Sequence, residues 1–199
     1  MYQWRQLSDV QRREVLRLRQ QLELPQHSPA HRRSFGSGQW MLTAACYEHQ
    51  PWIGVSPERM AEFEKELLEA LRAADSDVIA WVILPNHYHA LVQTEDISRA
   101  LSALGQLHGR TSFRWNAEDG QRGRKVWFRC AETLMKSDSH FWATMNYIHH
   151  NPVKHRYVEK WQDWPFGSAK QFLSEAGADE ARAIWEAYPI QDYGKGWDD

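Results

Sequence analysis

Seven consecutive apolar residues, Val78 to Leu84, are followed at once by Pro85-Asn86 and a second apolar-rich stretch from His87 to Val92. No other feature restricts the fold of this chain as much. A run that short cannot cross a bilayer, which takes about 20 residues. Bounded by turn residues, it reads as a buried strand, and Pro85-Asn86 folds the chain back into a second strand beside it. An antiparallel hairpin is therefore expected within the core.

The flanking elements follow from capping and periodicity. Trp40 to Tyr47 is rich in β-favouring residues and reads as a first strand. Ser56-Pro57 supplies an N-cap and a first-turn proline, and Met60, Phe63, Leu67 and Leu71 mark the apolar face of the helix behind them. From Asp96, the spacing of Ile97, Leu101, Leu104 and Leu107 predicts a second helix reaching Trp115. A polar loop, Asn116 to Arg124, leads to a fourth strand over Val126 to Leu134. Ser137 caps a third helix carrying Phe141, Met145 and Ile148, which is expected to stop near Asn151 because Pro152 disfavours helical geometry in the residue before it. At the N-terminus, Ser8-Asp9-Val10-Gln11 opens a helix to Leu22, and an extended arm follows. The order strand, helix, strand, strand, helix, strand predicts an α+β, ferredoxin-like core with a mainly antiparallel sheet of four to five strands. An N-terminal helix and a C-terminal helical tail are added to it. The expected divisions are 1–38 (helix and arm), 39–160 (the core domain) and 161–199 (an acidic appendage).

With 199 residues the chain can bury a full core, and its two cysteines, Cys46 and Cys130, make neither a zinc spacing nor a disulfide framework. Met1 to Gln6 lacks an apolar signal core, so a cytoplasmic, non-membrane protein is expected. The formal net charge of −2 conceals an asymmetry, because residues 171–199 carry −5 and residues 1–170 therefore +3. Residues 108–129 hold Arg110, Arg114, Arg122, Arg124, Lys125 and Arg129 against Glu118 and Asp119, interleaved with Phe113, Trp115, Trp127 and Phe128. Such a stripe suits single-stranded nucleic acid through charge and stacking, although an ordinary solvated loop has the same composition. Eleven tryptophans exceed what one binding face can use, so many must be core.

Two short motifs carry chemistry. In His87-Tyr88-His89 strand alternation turns both imidazoles to one side and Tyr88 to the other, which makes half of a divalent-metal site or merely a pair of structural histidines. In Asn146 to Lys154, Tyr147 and Asn151 stand one helical turn apart. Asn151 offers a carbonyl oxygen to a metal and Tyr147 a phenol that can attack, or else the pair is a packed tyrosine and a helix cap. A phenol with a pKa near 10 is a poor nucleophile unless charge developing on its target is stabilised. His150, three residues from Tyr147, and Lys154, one turn beyond Asn151, are possible neighbours of the site. His149 and His155 read as surface residues.

Taken together, Leu84-Pro-Asn-His-Tyr-His-Ala-Leu-Val and Asn146-Tyr-Ile-His-His-Asn-Pro-Val-Lys-His resemble the single-tyrosine His-x-His (HUH) transposases, in the branch of REP-associated tyrosine transposases. The resemblance runs from about Trp40 to Phe166, with Trp4-Arg5 and Ser28-Pro-Ala-His31 similar to the same branch. It implies His87, His89 and Asn151 as ligands of Mg²⁺ or Mn²⁺ and Tyr147 as the nucleophile. The implied activity is a metal-dependent single-stranded DNA endonuclease and strand transferase, working at hairpin-forming repeats through a 5′-phosphotyrosine. It further implies a monomer that binds hairpin DNA, associated with the bacterial nucleoid, with no small-molecule substrate. Arg110, Arg114, Arg122, Arg124 and Lys125 are the candidates for DNA backbone contacts, and Arg32 and Arg33 for flanking bases. Relatives more often have glutamine where this chain has Asn151, and often an acidic-histidine pair near Trp127 to Glu132 that is missing here. Two other readings stand beside it: a non-catalytic single-strand binding module, and a metallohydrolase in which the histidines activate water. A histidine-triad hydrolase is disfavoured by Leu91 at the position of the third histidine.

Overall fold

The computed structural model describes residues 38–191 and 193, together with Ser8 and Val10. The expected N-terminal helix, apart from these two residues, and Arg32 and Arg33 lie outside the described residues. The chain divides into two compact units, Met1–Ser34 and Phe35–Asp199, and the sheet and its helices belong to the second.

Its elements are β1 (Gly38–Ala45), α1 (Pro57–Ala73), β2 (Ser76–Ile83), β3 (His87–Thr94), α2 (Ile97–Glu118), β4 (Ala131–Leu134), α3 (Asp138–Lys154), α4 (Ala169–Ala176) and α5 (Ala178–Ala187). Short 3₁₀ turns cover Tyr47–His49, Ile53–Val55 and Trp161–Asp163. The sheet has four strands in the order β2-β3-β1-β4, and every pairing is antiparallel. This is the expected ferredoxin-like α+β arrangement.

Sequence dictates the helices locally. The Ser56 hydroxyl accepts from the Arg59 amide, and Asp96 accepts from Ser98, so each helix has an orphan donor satisfied at its start. Met60, Phe63, Leu67 and Leu71 of α1 and Ala100, Leu104, Leu107 and Trp115 of α2 are buried against Leu42, Ala44, Tyr88, Ala90 and Val92 on one face of the sheet. On the other face Met41, Ala80, Val82, Leu84 and Leu91 meet Met145, Tyr147 and Ile148 of α3. A sheet covered on both sides explains why Val78 to Leu84 is apolar without alternation.

Three expectations need correction. The fourth strand is only four residues long. Trp127 bridges Cys46, but three residues lie between Trp127 and Ala131 where two lie between Thr43 and Cys46, so one extra residue breaks the ladder. Trp127 turns inwards, stacks on His108 and donates to Thr111. Second, α3 does not stop at Asn151 but runs through Pro152 to Lys154, with the His155 amide donating to the Asn151 carbonyl. A proline removes one donor and crowds the carbonyl four residues before it; here the lost donor falls in the last turn, and the helix closes with the bond from His155 to Asn151. Third, His149 is buried. It lies between Trp161 and Phe172, bonded through Nε2 to Ser168 Oγ at 2.9 Å, and burial pulls its imidazole down to about 4.

Residues 164–168 close the outer edge of β2. Ile83 N donates to Phe166 O, Ser168 N to Trp81 O, and the Trp164 indole to Ile83 O. Gly167 is required here: a β-carbon would stand 2.8 Å from the Trp81 carbonyl oxygen.

Candidate active site

Strand parity sends Tyr88 into the α1–α2 core, where its hydroxyl meets His108 Nε2 at 3.0 Å. His87 and His89 face α3, and both are buried. Their rings lie 5.0 Å apart, edge to face. Across the ladder His89 pairs directly with Thr43, whose hydroxyl lies 2.8 Å from His89 Nδ1. His87 Nδ1 lies 2.8 Å from Asn86 Oδ1.

Helix α3 brings the second motif to this point. Asn151 Oδ1 stands 3.2 Å from His87 Nε2, and the Tyr147 ring is 5.2 Å from that of His89. Asn151 is fully buried, and its Nδ2 has no hydrogen-bond partner among the described residues. Because helix α3 continues past Pro152, Lys154 is carried over Tyr147, its Nζ 5.2 Å from the ring centroid. His155, expected at the surface, instead lies with its ring 5.1 Å from that of His87. From the far end of the chain Tyr193 sets its ring 5.6 Å from Tyr147 and bonds Thr144 and His140. His150 turns elsewhere, against Trp185 at 5.0 Å.

The donor set suits a divalent cation. Bonds of about 2.1 Å at right angles put neighbouring donors about 3.0 Å apart, close to the separation of His87 Nε2 from Asn151 Oδ1. Among the described residues no three His, Cys, Asp or Glu side chains gather to hold a metal; beside the two imidazoles, the side-chain oxygen that stands at this point is that of Asn151. Two imidazoles and an amide favour Mn²⁺ on ligand softness, and Mg²⁺ by its oxygen.

The basic candidates fall into two groups. Arg114 is committed to Glu66 through two bonds of 2.6 and 3.1 Å. Arg124 bonds Asp119 and Asn116 and lies over Trp52. Asp119 also receives Arg59, whose guanidinium holds its carboxyl below the usual range. Arg110 and Arg122 are exposed, and Lys125 extends over Tyr47 and Phe128. Trp115 and Trp127 are core, which leaves Phe113 and Phe128 as the accessible aromatics of the stretch. Among the described residues no helix is long and apolar enough to cross a membrane.

No family profile matches the chain. Two relatives do. The REP-associated tyrosine transposase of Escherichia coli is 23% identical over 137 residues, covering 66% of this chain and 76% of that protein. A Haemophilus influenzae protein assigned to the same class is 27% identical over 122 residues, and the match spans 54% of this chain and 66% of the relative's length. Among solved structures, a REP-associated tyrosine transposase bound to a REP hairpin superposes with a TM-score of 0.60 at 19% identity, over 78% of this chain and 90% of that one. This last similarity establishes the fold.

Proposed function

We propose that the chain is a REP-associated tyrosine transposase, as its sequence relatives and its fold suggest, and that it cuts and rejoins single-stranded DNA beside a hairpin. The observation that carries the reading is the convergence of Tyr147, His89, His87 and Asn151 from two separate motifs on one buried point. Tyr147 is the nucleophile. Its phenolic oxygen forms a bond to phosphorus as the bond from phosphorus to the 3′ oxygen breaks, and the phenolic proton passes on balance to the departing 3′-hydroxyl. The product is a 5′-phosphotyrosine, from which another 3′-hydroxyl can reclaim the strand in a reversal of the same step.

His87, His89 and Asn151 would hold Mg²⁺ or Mn²⁺, which supplies charge stabilisation at the attacked phosphate. The chain's own residues do the rest. Lys154 adds a positive charge beside the phenol, favouring the developing phenolate. Thr43 and Asn86 hold the histidine rings in place. Tyr147 itself is buried, with Tyr193 among the residues covering it, so DNA reaches the phenol only after that cover shifts. Arg110, Arg122 and Lys125 are proposed to contact the DNA backbone. Arg32 and Arg33 enter the proposal on sequence alone. We assign the work to the bacterial cytoplasm, at the nucleoid, by a monomer.

The test incubates the protein with a labelled library of hairpin-bearing DNA and Mn²⁺ or Mg²⁺, then looks for a protein–DNA adduct that survives denaturation. An adduct is expected that disappears with chelator and in Tyr147→Phe, while the variant still binds hairpin DNA. Metal-dependent cleavage that persists in Tyr147→Phe without an adduct would instead identify a water-using hydrolase. Binding by every variant with no cleavage of any library member would identify a binding module.

A further inference from the structure

Sequence marks Asn86 only as a turn residue, yet both ends of its side-chain amide have fixed partners. Its Nδ2 donates to the His49 carbonyl at 3.2 Å, and its Oδ1 lies 2.8 Å from His87 Nδ1. Because the amino end is taken, the amide cannot turn round, and an amide oxygen can only accept. His87 Nδ1 therefore carries a proton that it donates to Asn86, and Nε2 faces the side chain of Asn151 at 3.2 Å. The anchoring carbonyl comes from an unusual backbone: Glu48 and His49 both lie in the left-handed region, with φ of 55° and 52°. Such conformations in non-glycine residues concentrate at functional sites. The turn is also tied through its main chain, Cys46 N donating to Asn86 O at 2.7 Å.

We infer that Asn86 is a positioning residue: anchored by the His49 carbonyl, it holds the proton of the neutral His87 ring on Nδ1 and turns Nε2 toward the point shared with Asn151. The purpose assigned to this arrangement rests on the metal-site reading above, whereas the tautomer can be observed without metal.

The experiment compares the full chain with Asn86→Ala, which loses both contacts, and Asn86→Asp, which keeps an acceptor for His87. Imidazole ¹⁵N NMR of the metal-free protein at mildly alkaline pH reads the tautomer, and Mn²⁺ EPR titration reads affinity. Wild type and Asn86→Asp should show His87 protonated on Nδ1, and Asn86→Ala should move toward Nε2 protonation. Mn²⁺ affinity should fall about tenfold or more in Asn86→Ala and recover in Asn86→Asp, the range found when outer partners of metal-bound histidines are removed. A wild-type His87 protonated on Nε2, or an unchanged tautomer in Asn86→Ala, overturns the inference. So does unchanged Mn²⁺ affinity alongside an altered tautomer. If Asn86→Ala does not fold, the wild-type and Asn86→Asp spectra decide. Absence of any Mn²⁺ binding with the expected tautomer present would defeat the metal reading and leave the assignment of Asn86 supported.

Discussion

The ammonium of Lys154 stands over the ring of Tyr147, 5.2 Å from its centroid, two helical turns further along α3. This relationship exists only because the helix carries on through Pro152. A cation over an aromatic face contributes about 1 kcal/mol, and more of that should be felt as the phenol gains negative charge. Lys154→Met keeps the aliphatic stem and removes the charge. It should slow adduct formation about fivefold or more in single-turnover assays, with the thermal midpoint lowered by no more than about 4 °C. An unaltered rate would remove Lys154 from the reaction.

Tyr193 tests access to the same phenol. Its ring lies against Tyr147, and its hydroxyl is held by Thr144 and His140. Tyr193→Ala should raise the rate of adduct formation several-fold on hairpin DNA. A rate equal to or below that of wild type would mean that Tyr193 supports the site rather than covering it.

Gly54 bears on the turn that delivers His87. Its amide donates to the Pro85 carbonyl at 2.9 Å, and an added β-carbon would sit 2.7 Å from Pro85 Cα. Backbone cannot give way as a flexible side chain would. Gly54→Ala should cost roughly 1–3 kcal/mol and weaken Mn²⁺ binding as Pro85-Asn86 is displaced. Thermal denaturation with a Mn²⁺ titration checks both, and a variant with wild-type values would show that the turn tolerates the shift.

His108 gives the fold a dependence on acid. Stacked on Trp127 and facing the Tyr88 hydroxyl, its imidazole is pulled by burial from 6.5 to about 4. Below pH 6.5 the unfolded chain takes up a proton that the folded chain refuses until about pH 4. Stability is therefore unaffected above 6.5 and lost as pH falls through that window, by up to about 3 kcal/mol. His108→Gln, which still offers Tyr88 an acceptor, should flatten the slope of unfolding free energy against pH between 6.5 and 4. An identical slope in the variant would assign the effect to other groups.

What could be read in the sequence was local. The hairpin, the caps at Ser56 and Ser137, and the apolar faces of α1 and α2 each follow from a few neighbouring residues, and the order of elements then fixes the ferredoxin-like topology. Alternation on β3 alone separates Tyr88 from His87 and His89. What stayed hidden depended on distant partners. Whether His149 is buried is decided by Trp161, Ser168 and Phe172. That Arg114 and Arg124 are engaged depends on Glu66 and Asp119. Thr43 joins the site through strand register, and His155 through a helix that outlasts its proline. Nothing in their own neighbourhoods announces either.

The closure of the β2 edge by residues 164–168 has a consequence for assembly. An open edge strand invites another chain to extend the sheet, but here the main-chain groups of Trp81 and Ile83 are already engaged by Phe166 and Ser168. A second copy could join the sheet at β2 only after displacing that segment. By occupying this end of β2 with its own later residues, the chain withholds the main-chain groups of Trp81 and Ile83 from a neighbouring strand.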